Sequence, residues 1–137
     1  MSDEPDDIVE WSAYQRARGE LGGDFVRILA YFREDGIKSV AAIEAAMRAG
    51  DAVALVTPAH TLKGEARQFG ALPLGALAEH IEVVARRCIE DHQAPDELIE
   101  TVVKLRPLFE RTLELCEHEA NPPAARRAVF GRKIQAL

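Results

Sequence analysis

The 137 residues contain no apolar run approaching the roughly 18–20 residues a membrane span requires. There are two cysteines, Cys88 and Cys116, and no secretory signal at the amino terminus. That combination argues against a disulfide framework and predicts two small apolar core residues in a reducing, cytoplasmic setting. Sustained period-two alternation of apolar and polar residues is missing, so no strands are expected. No glycine-rich phosphate loop occurs, so the chain is not expected to phosphorylate itself from ATP. Metal patterns are missing too: neither Glu-x-x-His nor His-Glu-x-x-His is present. Glu114 and His118 stand one turn apart, which is two ligands and not a site, and His80 and His92 lack ligand spacing. No metal or cofactor is expected on this chain. With 17 basic residues against 23 acidic ones, the net charge of −6 argues against nucleic acid as a general partner. The charge is uneven, because residues 120–137 carry Arg126, Arg127, Arg132 and Lys133 with no acid.

What is present is helical periodicity. One short helix is expected from Asp6 to Arg18, ending near Gly19, followed by a break at Gly22-Gly23. The second opens at Asp24 and carries Phe25, Ile28, Leu29, Phe32, Val40, Ile43 and Met47 at 3.6-residue spacing up to Gly50, with Gly36 weakening it locally. A third runs to Gly70. The fourth begins at Pro73, a residue suited to a first helical position, and shows the most regular stripe: Leu74, Leu77, Ala78, Ile81, Val84, Ala85 and Cys88. The last opens at Pro95-Asp96-Glu97 and ends at Asn121-Pro122-Pro123. Hydrophobic content of 47% suffices for one core. Amphipathic helices with short connectors predict an all-α fold, an antiparallel up-down-up-down four-helix bundle with a short N-terminal capping helix. Residues 1–119 would form that domain and residues 120–137 a basic C-terminal tail.

The third helix carries the chemistry. With His60 at zero and about 100° per residue, Leu55, Ala59, Leu62, Ala66 and Phe69 fall between about 180° and 260°. Gly64 and Arg67 lie within about 40° of His60 and Lys63 within about 60°, away from that stripe. Imidazole is a nucleophile at neutral pH with little perturbation. Lys63 and Arg67 offer positive charge of the kind that stabilises a transferred phosphoryl group. Gly64 costs about 0.8–1 kcal/mol relative to alanine, and the missing side chain opens the imidazole to a bulky partner. Lys63, Arg67 and Gln68 each also read as ordinary solvated surface.

Ala59, His60, Leu62, Lys63, Gly64, Ala66, Gly70 and Ala71, followed by Leu77 and Ile81-Glu82, resemble the signature of histidine-containing phosphotransfer domains of two-component phosphorelays. The resemblance implies a four-helix bundle whose His60 accepts a phosphoryl group from a receiver-domain aspartate and passes it to another. It implies receiver domains of response regulators or hybrid histidine kinases as partners, with Mg²⁺ held by the receiver. Glu82 falls where the family places a polar residue near the histidine ring. It would hold the ring nitrogen that does not react, or pair with Lys63 or Arg86, or form a purely structural ion pair. Glu65 departs from the family's small residue and adds negative charge near the site.

Two rival readings differ from this one in particular residues. Histidine-kinase dimerisation helices resemble one another in an acidic residue directly after the histidine, where this chain has Thr61. A non-catalytic adaptor that binds or sequesters a receiver domain or regulator would not need the imidazole. The chain begins with Met1 and includes no kinase or receiver domain, so a free-standing, monomeric protein is expected. Two structural alternatives stay open. Pro58 sits inside one distorted helix over about 51–69, the favoured reading, or follows Thr57 as the first residue of a shorter one. Ile8, Trp11 and Tyr14 of the first helix either flank His60 as an exposed docking patch or cap the core.

Overall fold

The computed structural model describes residues 5–121. Six α-helices follow in order: α1 Pro5–Ile8, α2 Trp11–Leu21, α3 Phe25–Ala49, α4 Ala52–Gln68, α5 Leu72–Glu90 and α6 Ile99–Ala120. Single 3-10 turns at Gly22–Asp24 and Asp96–Leu98 lead into α3 and α6. Helices α3 to α6 pack α3 on α4, α4 on α5, α5 on α6 and α6 back on α3, which closes the expected four-helix bundle. No strand occurs among the described residues, and no helix there is long and apolar enough to cross a membrane. Arg126, Arg127, Arg132 and Lys133 of the basic tail lie outside the described residues.

The periodic apolar positions supply the core, in which Leu55, Leu62, Leu74, Ile81 and Leu105 are fully buried. Aromatic rings run through one part of it in continuous contact: Tyr14 on Phe25, Phe25 on Phe69, Phe69 stacked on Phe32, and Phe32 on Phe109. Burying each such ring is worth about 1.5–3 kcal/mol. Cys88 and Cys116 are buried free thiols, and burial pushes the Cys116 thiol up to about 12. Gly36 does not interrupt α3, because the space beside it is taken. A Cβ there would lie 2.3 Å from Phe109 Cε1, so the glycine lets α3 approach α6.

Three boundaries depend on particular side chains. The expected first helix is divided at Val9-Glu10, because the Glu10 N–H donates to Gly70 O (2.8 Å) and its carboxylate caps α2 by accepting from the N–H groups of Ser12 and Ala13. It then runs past Gly19 to Leu21, since one exposed glycine does not by itself stop a helix. Between α4 and α5, Gly70 has φ 75°, and a Cβ would come 2.6 Å from Glu10 O, so this turn needs glycine on both counts. Asp51 caps α4 by accepting from Ala54 N–H (3.1 Å), which places Pro58 inside a single helix, as favoured, and excludes the shorter alternative. A second interior proline, Pro107, lies in α6.

Of the two roles open to the first helix, capping is the one observed. Ile8 and Tyr14 are buried, Tyr14 Oη donates to Cys116 O (2.7 Å), and Trp11 packs edge-on against the Tyr14 ring. The bond between Glu10 and Gly70 ties this segment to the end of α4, ten residues or about 15 Å of helix beyond His60.

Candidate functional site

Helices α4 and α5 are antiparallel neighbours joined at Gly70-Ala71, and that connection decides which residues meet. His60 and Glu82 stand eleven residues either side of Ala71 and face each other. His60 Nδ1 lies 3.0 Å from Glu82 Oε2, with 63% of the histidine side chain exposed and only 7% of the carboxylate's. One turn along α4, Lys63 Nζ reaches Glu82 Oε1 at 2.8 Å. One turn along α5, the Arg86 guanidinium donates to Oε2 at 2.8 Å from Nη2 and 3.3 Å from Nε. A single buried carboxylate therefore gathers an imidazole and two cations from two helices. Of the roles open to Glu82 in the sequence, it fills both the ring-holding and the ion-pairing ones.

Burial alone would raise the Glu82 carboxyl, but Lys63, Arg86 and His60 outweigh it and hold it at about 2. It is thus an acceptor at any ordinary pH. Donation of the Nδ1 proton to Oε2 selects the tautomer whose Nε2 carries a free lone pair. His60 lies outside the core stripe, so that nitrogen is on the solvent side of the bundle. Next to it, a Cβ built at Gly64 would meet nothing within 4 Å, so the helix surface beside the imidazole is open. Lys63, with 20% of its side chain exposed, lies back along the α4–α5 seam toward Glu82.

The remaining sequence candidates lie further off. Arg67 is two turns beyond His60, about 10 Å along the axis. Its guanidinium engages Glu79 of α5, not the imidazole. Gln68 is exposed at the end of α4 and makes no side-chain hydrogen bond among the described residues. Glu65 is placed by its helical phase on the α3 flank, so it does not add charge beside His60. There it meets Asp35, and one of its oxygens is buried without a hydrogen-bond partner. Burial and the neighbouring carboxyl push Glu65 up to about 7.

Arg86 joins the cluster only through Glu82. Its signal was the Glu82–Arg86 spacing of four on the helix that follows the histidine. Gly75 carried no signal. A Cβ there would come 3.1 Å from Arg67 Cγ, so the glycine makes a notch for the arginine stem. The Arg67–Glu79 ion pair that the notch supports is about half exposed, a class of pair worth about 0–1 kcal/mol.

The Hpt domain family model matches residues 27–121, a span that includes α4, α5 and every residue of the cluster around Glu82. No curated protein and no solved structure matches the chain.

Proposed function

The chain belongs to the Hpt domain family of two-component phosphotransfer, and from that premise we propose that His60 relays a phosphoryl group between receiver-domain aspartates. The observation that carries this reading is the contact of His60 Nδ1 with Glu82 on an otherwise exposed ring. Nε2 attacks the phosphorus of the receiver's acyl phosphate; the N–P bond forms as the P–O bond to the aspartate breaks. The Nδ1 proton stays where it is, so the phosphorylated ring is a cation, and the Glu82 carboxylate stabilises it. Transfer to a second receiver reverses these bond changes and returns neutral imidazole, with no proton moved in either direction. Lys63 and Arg86 place positive charge within one turn of the ring for the phosphoryl oxygens. The receiver supplies the aspartate and its Mg²⁺, and this chain brings no cofactor of its own.

Partners of this kind are the receiver domains of response regulators or hybrid histidine kinases, met in the cytoplasm by a monomeric carrier. A bundle that only sequestered a receiver would gain nothing from a buried carboxylate spent on ring tautomer. The test is transfer of ³²P from a phosphorylated receiver. Label should appear on the wild type as acid-labile, base-stable phosphohistidine and be absent from His60→Gln with its fold intact. Label retained on His60→Gln would refute the assignment.

A further inference from the structure

Arg67 is placed on the face that carries His60 and is seated against the neighbouring helix. It shares the helical face of His60, within about 20° of phase, about 10 Å along α4. An average specific interface covers about 800 Å² on each partner, a disc of radius about 16 Å. Any domain that covers His60 at its centre therefore covers Arg67 as well. Between the two, Gly64 leaves the helix surface bare, so nothing on that line keeps a partner off the guanidinium. The stem of Arg67 rests in the notch at Gly75 and its head is held by Glu79, both on α5. The notch removes a side chain from the first turn of α5, and the space it leaves is filled by the Arg67 stem. What the arrangement supplies is a cation held in one place before a partner arrives, which lowers the ordering cost of binding.

We propose that Arg67, seated at Gly75 and steadied by Glu79, is a recognition residue that pairs with a carboxylate on the surface of the receiver domain docking over His60. The inference rests on the phosphorelay reading and adds to it the residue that selects among receivers. The Arg67 side chain is half exposed while paired with Glu79, and a guanidinium has five N–H donors, so some remain for a second carboxylate. The chain carries a net charge of −6, so a guanidinium on the His60 face is a local point of attraction for a partner's carboxylate.

The experiment measures ³²P transfer from a purified phosphorylated receiver to the full chain over a range of receiver and salt concentrations. Arg67→Glu is expected to lower the second-order rate constant about tenfold at low salt, with the difference closing as salt rises. The rate at saturating receiver and its pH profile should stay those of the wild type, and Arg67→Lys should recover part of the loss. Gly75→Ala, which fills the notch and touches no charge, should give a smaller loss of the same kind. Were the pair only a clamp between α4 and α5, Arg67→Glu would lower the urea midpoint and leave second-order transfer unchanged, which overturns the proposal. A salt-independent loss at saturating receiver also overturns it, since that would place Arg67 in the chemical step. Wild-type protein that takes no label refutes the phosphorelay reading and this inference with it. Wild-type transfer with an unaffected Arg67→Glu refutes this inference alone.

Discussion

Glu82→Gln removes one charge and almost no volume from the centre of the site, so its effect isolates the electrostatics. The carboxyl titrates at about 2 in the folded protein against an ordinary value of 4.5. Converted without discount, that difference is about 3 kcal/mol of stability at neutral pH. His60 and Arg86 are both more than half exposed, so solvent screens part of it, and about 1–2 kcal/mol is the expected loss. The sign follows from the direction of the shift. A carboxyl depressed on folding contributes stability that is fully present above its unfolded value and is lost as pH falls through the folded one. Wild type and Glu82→Gln should therefore differ in urea-unfolding free energy by a constant amount from pH 7 to about 5. The gap should shrink below 4.5 and approach zero near 2. A gap of equal size at pH 7 and pH 2.5 would refute the argument, because it would come from packing and not from charge. Glutamine still offers an oxygen to the Nδ1 proton, so transfer should slow only a few-fold in this variant and at least tenfold in Glu82→Ala.

Four further outcomes follow from the same geometry. Lys63→Ala should slow transfer at saturating receiver by about tenfold to a hundredfold and also lower the unfolding free energy by about 1–2 kcal/mol, because it takes a cation from the buried Glu82 carboxylate; single-turnover rates set beside urea midpoints decide it. Gly64→Gln should cut transfer by covering the open surface beside His60 while leaving the bundle at least as stable, and undiminished transfer would remove the access argument. Pro58→Ala should raise thermal stability, by up to about 3 kcal/mol, because the proline is interior to α4 and the change restores a hydrogen bond to Ala54 O. Glu65→Gln should be more stable than wild type at pH 8 and nearly equal at pH 4. The Glu65 carboxyl is raised to about 7, so the stability of the neutral form is present below 4.5 and lost as pH climbs through 7.

The bundle was legible because four of its helices each repeat an apolar stripe over four or more turns, and those stripes became the core. The phase on α4 placed His60 and Gly64 on the exposed face, whereas Lys63 shares that phase but turns its side chain into the α4–α5 seam toward Glu82. The errors fall where the period carries no information. Glu10 as a helix cap and Gly70 O as its backbone partner belong to residues sixty apart in the chain, so the division of the first helix had no local signal. Ile8, Trp11 and Tyr14 exceeded what a short helix buries by itself, yet the hydrogen bond from Tyr14 to Cys116 O fixes them on the bundle end.

Glu65 and Glu82 show what a single helical wheel leaves out. Projection at 100° per residue says which way a side chain faces and not what the neighbouring helix places opposite it. Glu65 faces α3 and meets another carboxyl, so it is driven toward its neutral form; Glu82 faces α4 and meets an imidazole and an ammonium, so it stays charged. The missing quantity is the axial offset between helices, and in an antiparallel pair with a short connection the turn sets it. Arg67 and Gly75 stand four residues either side of Ala71, as His60 and Glu82 stand eleven. Pairing equidistant positions across Gly70-Ala71 thus yields both the His60–Glu82 contact and the arginine's notch, because both helices rise by the same 1.5 Å per residue from one tight turn.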